Sequence, residues 1–175
     1  MKLQEIERRA EECFESGFNC AEAVFLAITE AFGLDVSGQV RLATPFGGGI
    51  GRCKAELCGA ISGAVLAVGA VRGRVNPAGN WDVAADVARA VRDDALATGG
   101  STRCAELLQI FGQQPGMEAC IRFTGKVAGS VAARLLEADG TGAEPAPTVA
   151  ARQVVSACSC GCDEAGRGLR NRTCS

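Results

Sequence analysis

The 175-residue chain contains no histidine. That excludes serine–histidine and cysteine–histidine nucleophile pairs, a histidine general base and a haem attachment motif ending in histidine. Zinc sites built on two or three imidazoles are excluded with them. Long hydrophobic runs are lacking too. The longest uncharged apolar stretch, Leu57 to Val71, has fifteen residues, whereas a bilayer span needs about 20. It therefore predicts a buried helix and no membrane span. Charge of one sign is also missing. A net charge of −2 creates no overall field to recruit nucleic acid or anionic lipid. The N-terminal segment carries Glu5, Glu7, Glu11, Glu12 and Glu15 and no apolar core, so it does not read as a signal peptide.

What is present in excess is cysteine, ten residues, and glycine, 23 residues. With no imidazole available, any metal would sit on thiolate or carboxylate. A thiolate set suits iron–sulfur clusters, zinc or copper(I). The absence of a leader and of a span predicts a cytoplasmic protein, where thiols stay reduced. In that compartment ten cysteines point to metal or redox chemistry more than to a disulfide scaffold.

The hydrophobic period is helical almost throughout. Leu3, Ile6, Ala10, Cys13 and Phe14 form one stripe, ended by Gly17. Asn19 caps a second helix reaching about Phe32. Ser37 can cap a short helix closing before Pro45, followed by the glycine-rich segment Phe46 to Gly51. An apolar helix is predicted from Cys58 to about Val71, another from Trp81 to about Ala97 behind Asn80, and one from Ser101 through Phe111. Pro115 opens the last, to about Leu136. No run of alternating residues suggests a strand. The expected fold is all-α: a compact helical bundle of about six to seven helices with an irregular Cys-rich C-terminal tail. Residues 1–138 form the helical domain, 139–148 read as a linker, and 149–175 as a basic, cysteine-rich tail. The Gly47–Gly51 segment follows no strand and lacks the lysine and hydroxyl of a P-loop, so it does not read as a phosphate cradle.

Four cysteines fall at or near the starts of four different expected helices: Cys20, Cys58, Cys104 and, less closely, Cys120. Unpaired N–H groups and the helix dipole favour anions there, which lowers a thiol pKa. Buried free cysteine as a small hydrophobe is the competing reading, and it is preferred for Cys13, which lies on the apolar stripe. Cys53 stands five residues before Cys58. A plant-type ferredoxin would place a third cysteine three residues on, where Ile61 stands, so the role of Cys53 stays open. Gly59 and Gly63 belong to a run of small residues that lets helices pack closely or leaves room beside a cofactor. In the tail, Cys158, Cys160 and Cys162 alternate, and with Cys174 they make a second possible thiol set.

The segments Gly17 to Val24, Phe46 to Arg52, Cys58-Gly-Ala-Ile-Ser-Gly63, Cys104 to Leu108 and Cys120 resemble a bacterial and archaeal family of redox-active proteins. The family is named C_GCAxxG_C_C for its four cysteines. Here the short element reads Cys58-Gly59-Ala60. The resemblance covers roughly residues 10 to 136. It matches the four family cysteines to Cys20, Cys58, Cys104 and Cys120, and it implies a helical domain with a redox role and iron–sulfur binding. A similar domain occurs in split-Soret cytochromes beside haem motifs, which this chain lacks. Cys13, Cys53 and the tail cysteines depart from the family pattern.

Three functions compete. The first is an iron–sulfur protein in electron transfer or redox sensing, with Cys20, Cys58, Cys104 and Cys120 as metal ligands and Gly59 and Gly63 giving space to the cofactor. The second is a cluster-free thiol–disulfide oxidoreductase or sensor. The absence of a C-x-x-C pair counts against it. The third is a zinc-stabilised interaction module, in a chain already large enough to fold without metal. A redox partner protein is expected but not identified by the residues. The small residues from Gly59 to Ala67 also suggest a homodimer.

Overall fold

A computed structural model describes residues 2–35 and 38–140. Six α-helices follow one another: α1 (Leu3–Glu15), α2 (Cys20–Ala31), α3 (Gly59–Arg72), α4 (Asp82–Gly99), α5 (Cys104–Phe111) and α6 (Glu118–Gly140). No strand occurs among the described residues. A single antiparallel bridge pairs Leu57 with Arg103. The tail cysteines Cys158, Cys160, Cys162 and Cys174 lie outside the described residues.

The long α6 is the centre of the bundle. It packs on α1, α2, α3 and α4, while α2 also packs on α1 and α3. The apolar stripe of α1 buries Ile6, Ala10 and Cys13. Between α2 and α3 the core is made of small residues. Ala21 of α2 faces a helix whose Gly59, Ala60, Ser62, Gly63, Ala64 and Ala67 are all buried. A Cβ on Gly63 would stand 2.2 Å from the Ala21 carbonyl oxygen. The two backbones approach that closely because neither side chain intervenes. This small face is thus spent inside one chain and is not the surface a second copy would meet.

Several expected boundaries move by a turn. The helix expected behind Ser37 is replaced by two single-turn 3₁₀ helices, Val40–Leu42 and Thr44–Phe46, because Pro45 limits what the segment can bond. Asn80 does accept the Asp82 N–H at 2.8 Å, yet α4 begins at Asp82. Ser101 accepts the Arg103 N–H at 3.0 Å, and α5 begins at Cys104 itself. The last helix does not start at Pro115. Met117 sits at φ +62°, a left-handed residue that stops a helix from passing through it, so α6 begins at Glu118. It ends at Gly140, two residues inside the segment that reads as a linker.

Candidate functional site

Asn19 caps α2 in full. Its Oδ1 accepts the N–H groups of Ala21 at 2.9 Å and Glu22 at 3.2 Å, and the Glu22 carboxylate accepts the Asn19 N–H at 2.8 Å. Cys20 is therefore the first helical residue of α2. Cys58 is the N-cap of α3, and Cys104 is the first residue of α5. Cys120 is the third residue of α6, nearer to a helix start than the sequence suggests. The Cys120 N–H goes to Gln114 Oε1 at 3.0 Å, while Gln114 Nε2 donates to the Cys120 sulfur at 3.3 Å.

Backbone bonds draw these starts together. The Cys58 N–H donates to the Thr102 carbonyl at 2.8 Å, the Cys104 N–H to Glu56 at 2.9 Å and the Ala105 N–H to Lys54 at 2.7 Å. The start of α5 is thus stitched to the segment that leads into α3. All four cysteines line one cavity of about 430 Å³. Phe14, Leu107, Leu108, Phe111, Met117, Phe123 and Thr124 form its apolar side, and Gly47, Gly48, Gly51, Arg52 and Lys54 contribute from the glycine-rich segment.

That segment has an unusual backbone. Five consecutive residues, Gly48 to Arg52, have φ between +57° and +74°. It is a short left-handed turn closed by Gly51 N–H to Pro45, Arg52 N–H to Gly47 and Lys54 N–H to Gly48 bonds. Ile50, a β-branched residue, carries φ +57° within it. The turn aims the Gly48 N–H at the Cys20 sulfur. A Cβ on Gly49 would meet Cys104 Cβ at 2.8 Å, so the turn also lies against α5.

The thiols do not share one electrostatic fate. Cys20 is pulled down to about 7, first by the Cys58 thiol donating to its sulfur and then by the Gly48 and Ala21 N–H groups, against the cost of burial. Cys58 moves strongly up, because its proton is held by Cys20 and because it is buried. Burial pushes Cys104 up, and the charges of Cys20 and Cys120 push it further. Burial also raises Cys120, with Gln114 opposing. The expectation that all four helix starts lower their thiols therefore holds at Cys20 alone. The reasons are local: the leading N–H groups of α5 are taken by Glu56 and Lys54 carbonyls, and crowded thiols resist ionising together.

The remaining cysteines stand apart. Cys13 is buried in the core, and burial raises its pKa. Cys53 is exposed and donates to the Gly49 carbonyl at 2.6 Å; it is not in the cavity lining. Gly59 lies against Cys20, where a Cβ would stand 2.5 Å from Sγ. Gly63 packs on the α2 backbone, and neither glycine is in the cavity lining. Among the described residues, no group of three His, Cys, Asp or Glu side chains is gathered tightly enough to hold one metal ion. Sequence reasoning did not find Gln114, Thr124 or the apolar wall. Gln114 sits in a turn without a capping signature, and the wall residues look like ordinary helix core.

The family model described as "putative redox-active protein (C_GCAxxG_C_C)" matches residues 18–134. Comparison with curated proteins and with solved structures gave no match.

Proposed function

Since the chain belongs to the C_GCAxxG_C_C family, a family described by redox activity, we propose that the shared cavity is its redox centre and that Cys20, Cys58, Cys104 and Cys120 hold an iron–sulfur cluster there. The observation that carries this reading is the convergence of four cysteines from four helix starts on one cavity. The donor set is thiol only, which suits a cluster. A cluster takes its thiolates on separate irons, whereas a single tetrahedral zinc needs every sulfur about 2.3 Å from one point. Such a group, when bound, supplies one-electron transfer. The chain's own part is to steady sulfur charge and exclude water. The Gly48 N–H donates to Cys20, the Ala60 N–H to Cys58, and Gln114 Nε2 to Cys120. Donors of this kind favour the more negative state and raise the reduction potential.

One observation favours a second reading, a thiol–disulfide oxidoreductase. Cys20 and Cys58 line the same cavity and shift each other's ionisation in opposite directions, Cys20 down and Cys58 up. The Cys20 thiolate would attack a substrate disulfide, forming a mixed disulfide and expelling one substrate sulfur as thiolate. That thiolate takes the Cys58 proton. Cys58, now a thiolate, attacks the Cys20 sulfur and expels the second substrate sulfur as thiolate, which takes a proton from solvent. Two electrons pass from the dithiol to the substrate.

Anaerobic purification of the full chain separates the readings. The first expects a brown protein with iron and acid-labile sulfide, and loss of most of both in Cys20→Ser, Cys58→Ser, Cys104→Ser and Cys120→Ser but not in Cys13→Ser. A colourless protein with a reversible Cys20–Cys58 disulfide overturns it in favour of the second. Stoichiometric zinc overturns both.

A further inference from the structure

The edge of the cavity carries charge of one sign. Apart from the thiols, Arg52 and Lys54 are the only ionisable side chains in its lining among the described residues, and both are exposed. No Asp or Glu joins them, in a chain whose net charge is −2. Exposed cations elsewhere are held by carboxylates: Arg8, Arg9, Arg89, Arg92, Arg103 and Lys126 all form ion pairs. Arg52 and Lys54 form none among the described residues, and the protein uses neither side chain as a hydrogen-bond donor.

The backbone keeps them there at a cost. Arg52 has φ +63° and Lys54 φ +62°, values at which glycine or asparagine is the usual occupant. The turn is also firmly tied, since the Arg52 N–H donates to the Gly47 carbonyl at 3.1 Å and the Lys54 N–H to Gly48 at 2.9 Å. Backbone strain of this kind collects at functional sites. Apolar surface accompanies the charge. Ile50, on the same turn, is 47% exposed, and Met117, in the cavity lining, is 40% exposed. Arginine and methionine are both enriched where proteins meet.

We propose that this turn is the docking surface for a redox partner protein, which presents an acidic face to Arg52 and Lys54. The inference rests on the cavity being a redox centre and names the kind of partner that reaches it. Opposite charge steers the encounter and orients the partner toward the cavity, while Ile50 and Met117 supply a small apolar contact. Electron-transfer encounters are small interfaces of this type. A small anion would call for buried donors converging on one point, whereas these cations are exposed along a turn.

The test uses the full chain, purified anaerobically, with iron measured on every sample. The probes are oxidised flavodoxin, an acidic electron carrier, and lysozyme, a basic protein without redox chemistry. Binding is measured by calorimetry, so it is scored whether or not electrons pass. Flavodoxin is expected to bind at low salt and to weaken about tenfold toward 0.15 M, as screening sets in. Lysozyme should not bind. The double variant Arg52→Asn, Lys54→Asn removes both charges and keeps residues that accept a left-handed backbone. It should weaken flavodoxin about 3–20-fold, the worth of two exposed ion pairs. Arg52→Lys with Lys54→Arg should keep the affinity. Arg89→Asn, on α4, should change it by less than about twofold. The proposal is overturned if flavodoxin does not bind at low salt, if the double Asn variant binds like the parent, if Arg89→Asn loses as much, or if lysozyme binds as well. It is also overturned if inorganic phosphate displaces flavodoxin more than chloride does at equal ionic strength, which would make the turn a small-anion site. An iron-free chain that still binds flavodoxin through Arg52 and Lys54 would sink the cluster and support the docking surface. An iron-loaded chain that ignores flavodoxin would do the reverse.

Discussion

At Gly59 and Gly63 a single hydrogen in place of a methyl group decides how closely two helices approach. A Cβ on Gly63 would press on the Ala21 backbone at 2.2–2.8 Å, while one on Gly59 would meet the Cys20 sulfur and the Phe46 carbonyl at 2.5 and 2.8 Å. Backbone cannot swing aside as a flexible side chain can. Gly63→Ala is therefore expected to cost about 2–3 kcal/mol, the upper part of the overpacking range, seen as a fall in the denaturant midpoint. If the cysteines hold the proposed cluster, Gly59→Ala should act first on the site, displacing Cys20 and reducing iron content more than stability. Full stability and full iron in both variants would refute the close approach. Cys20 makes a separate prediction for the reduced, metal-free protein. Its folded pKa of about 7 lies below its ordinary value of 9.0. A depressed pKa adds stability that is complete above the unfolded value and is lost as pH falls through the folded one. The ultraviolet thiolate absorbance should show one transition near pH 7. That transition should vanish in Cys20→Ser and move upward in Cys58→Ala, which removes the main donor to the sulfur. A transition that survives Cys20→Ser would mean that another thiol titrates there.

Among the elements, the left-handed turn from Gly48 to Arg52 is the most constrained. Ile50 holds φ +57° and is 47% exposed, so burial does not explain why it tolerates a conformation that costs an L-residue about 1–2 kcal/mol. Ile50→Gly should relieve that cost and return part of it through the entropy of glycine, about 0.5–1 kcal/mol. A net gain of roughly 0.5–1 kcal/mol is expected, measured as a higher midpoint, and a loss would show that the Ile50 side chain has a packing role. The helices themselves were legible from period and caps. The Asn19 cap, the α1 stripe and the α3 small-residue run all stand where the pattern puts them. The region from Val40 to Arg52 was not legible, because Pro45 and four glycines announce a break without specifying its handedness. At the site, the four cysteines could be read from the helix starts, whereas Gln114 and Thr124 could not. Their meaning lies in partners gained or missing across the fold, which one-dimensional spacing does not carry.

For the molecule as a whole, the site draws on Cys20 in α2, Cys58 before α3, Cys104 in α5 and Cys120 in α6, so it reports on the integrity of nearly the entire bundle. The Leu57–Arg103 bridge and the Cys58 N–H to Thr102 bond add a topological consequence. The chain leaves the site at Leu57, runs out through α3 and α4, and comes back to the same point at Arg103. This excursion is a closed detour, pinned at its base and packed along its length against α2 and α6. Its far bend, residues 73–81, is largely exposed and takes no part in the cavity. Cutting the polypeptide there should leave two fragments that behave as one particle, held by non-covalent complementarity. A site-specific protease sequence inserted between Val75 and Asn80 allows this to be measured. After cleavage the two pieces should separate in denaturant but elute together under native conditions, with the iron content of the uncut protein. Fragments that part on cleavage would mean that the covalent bend, rather than the pinned base, keeps the detour in place.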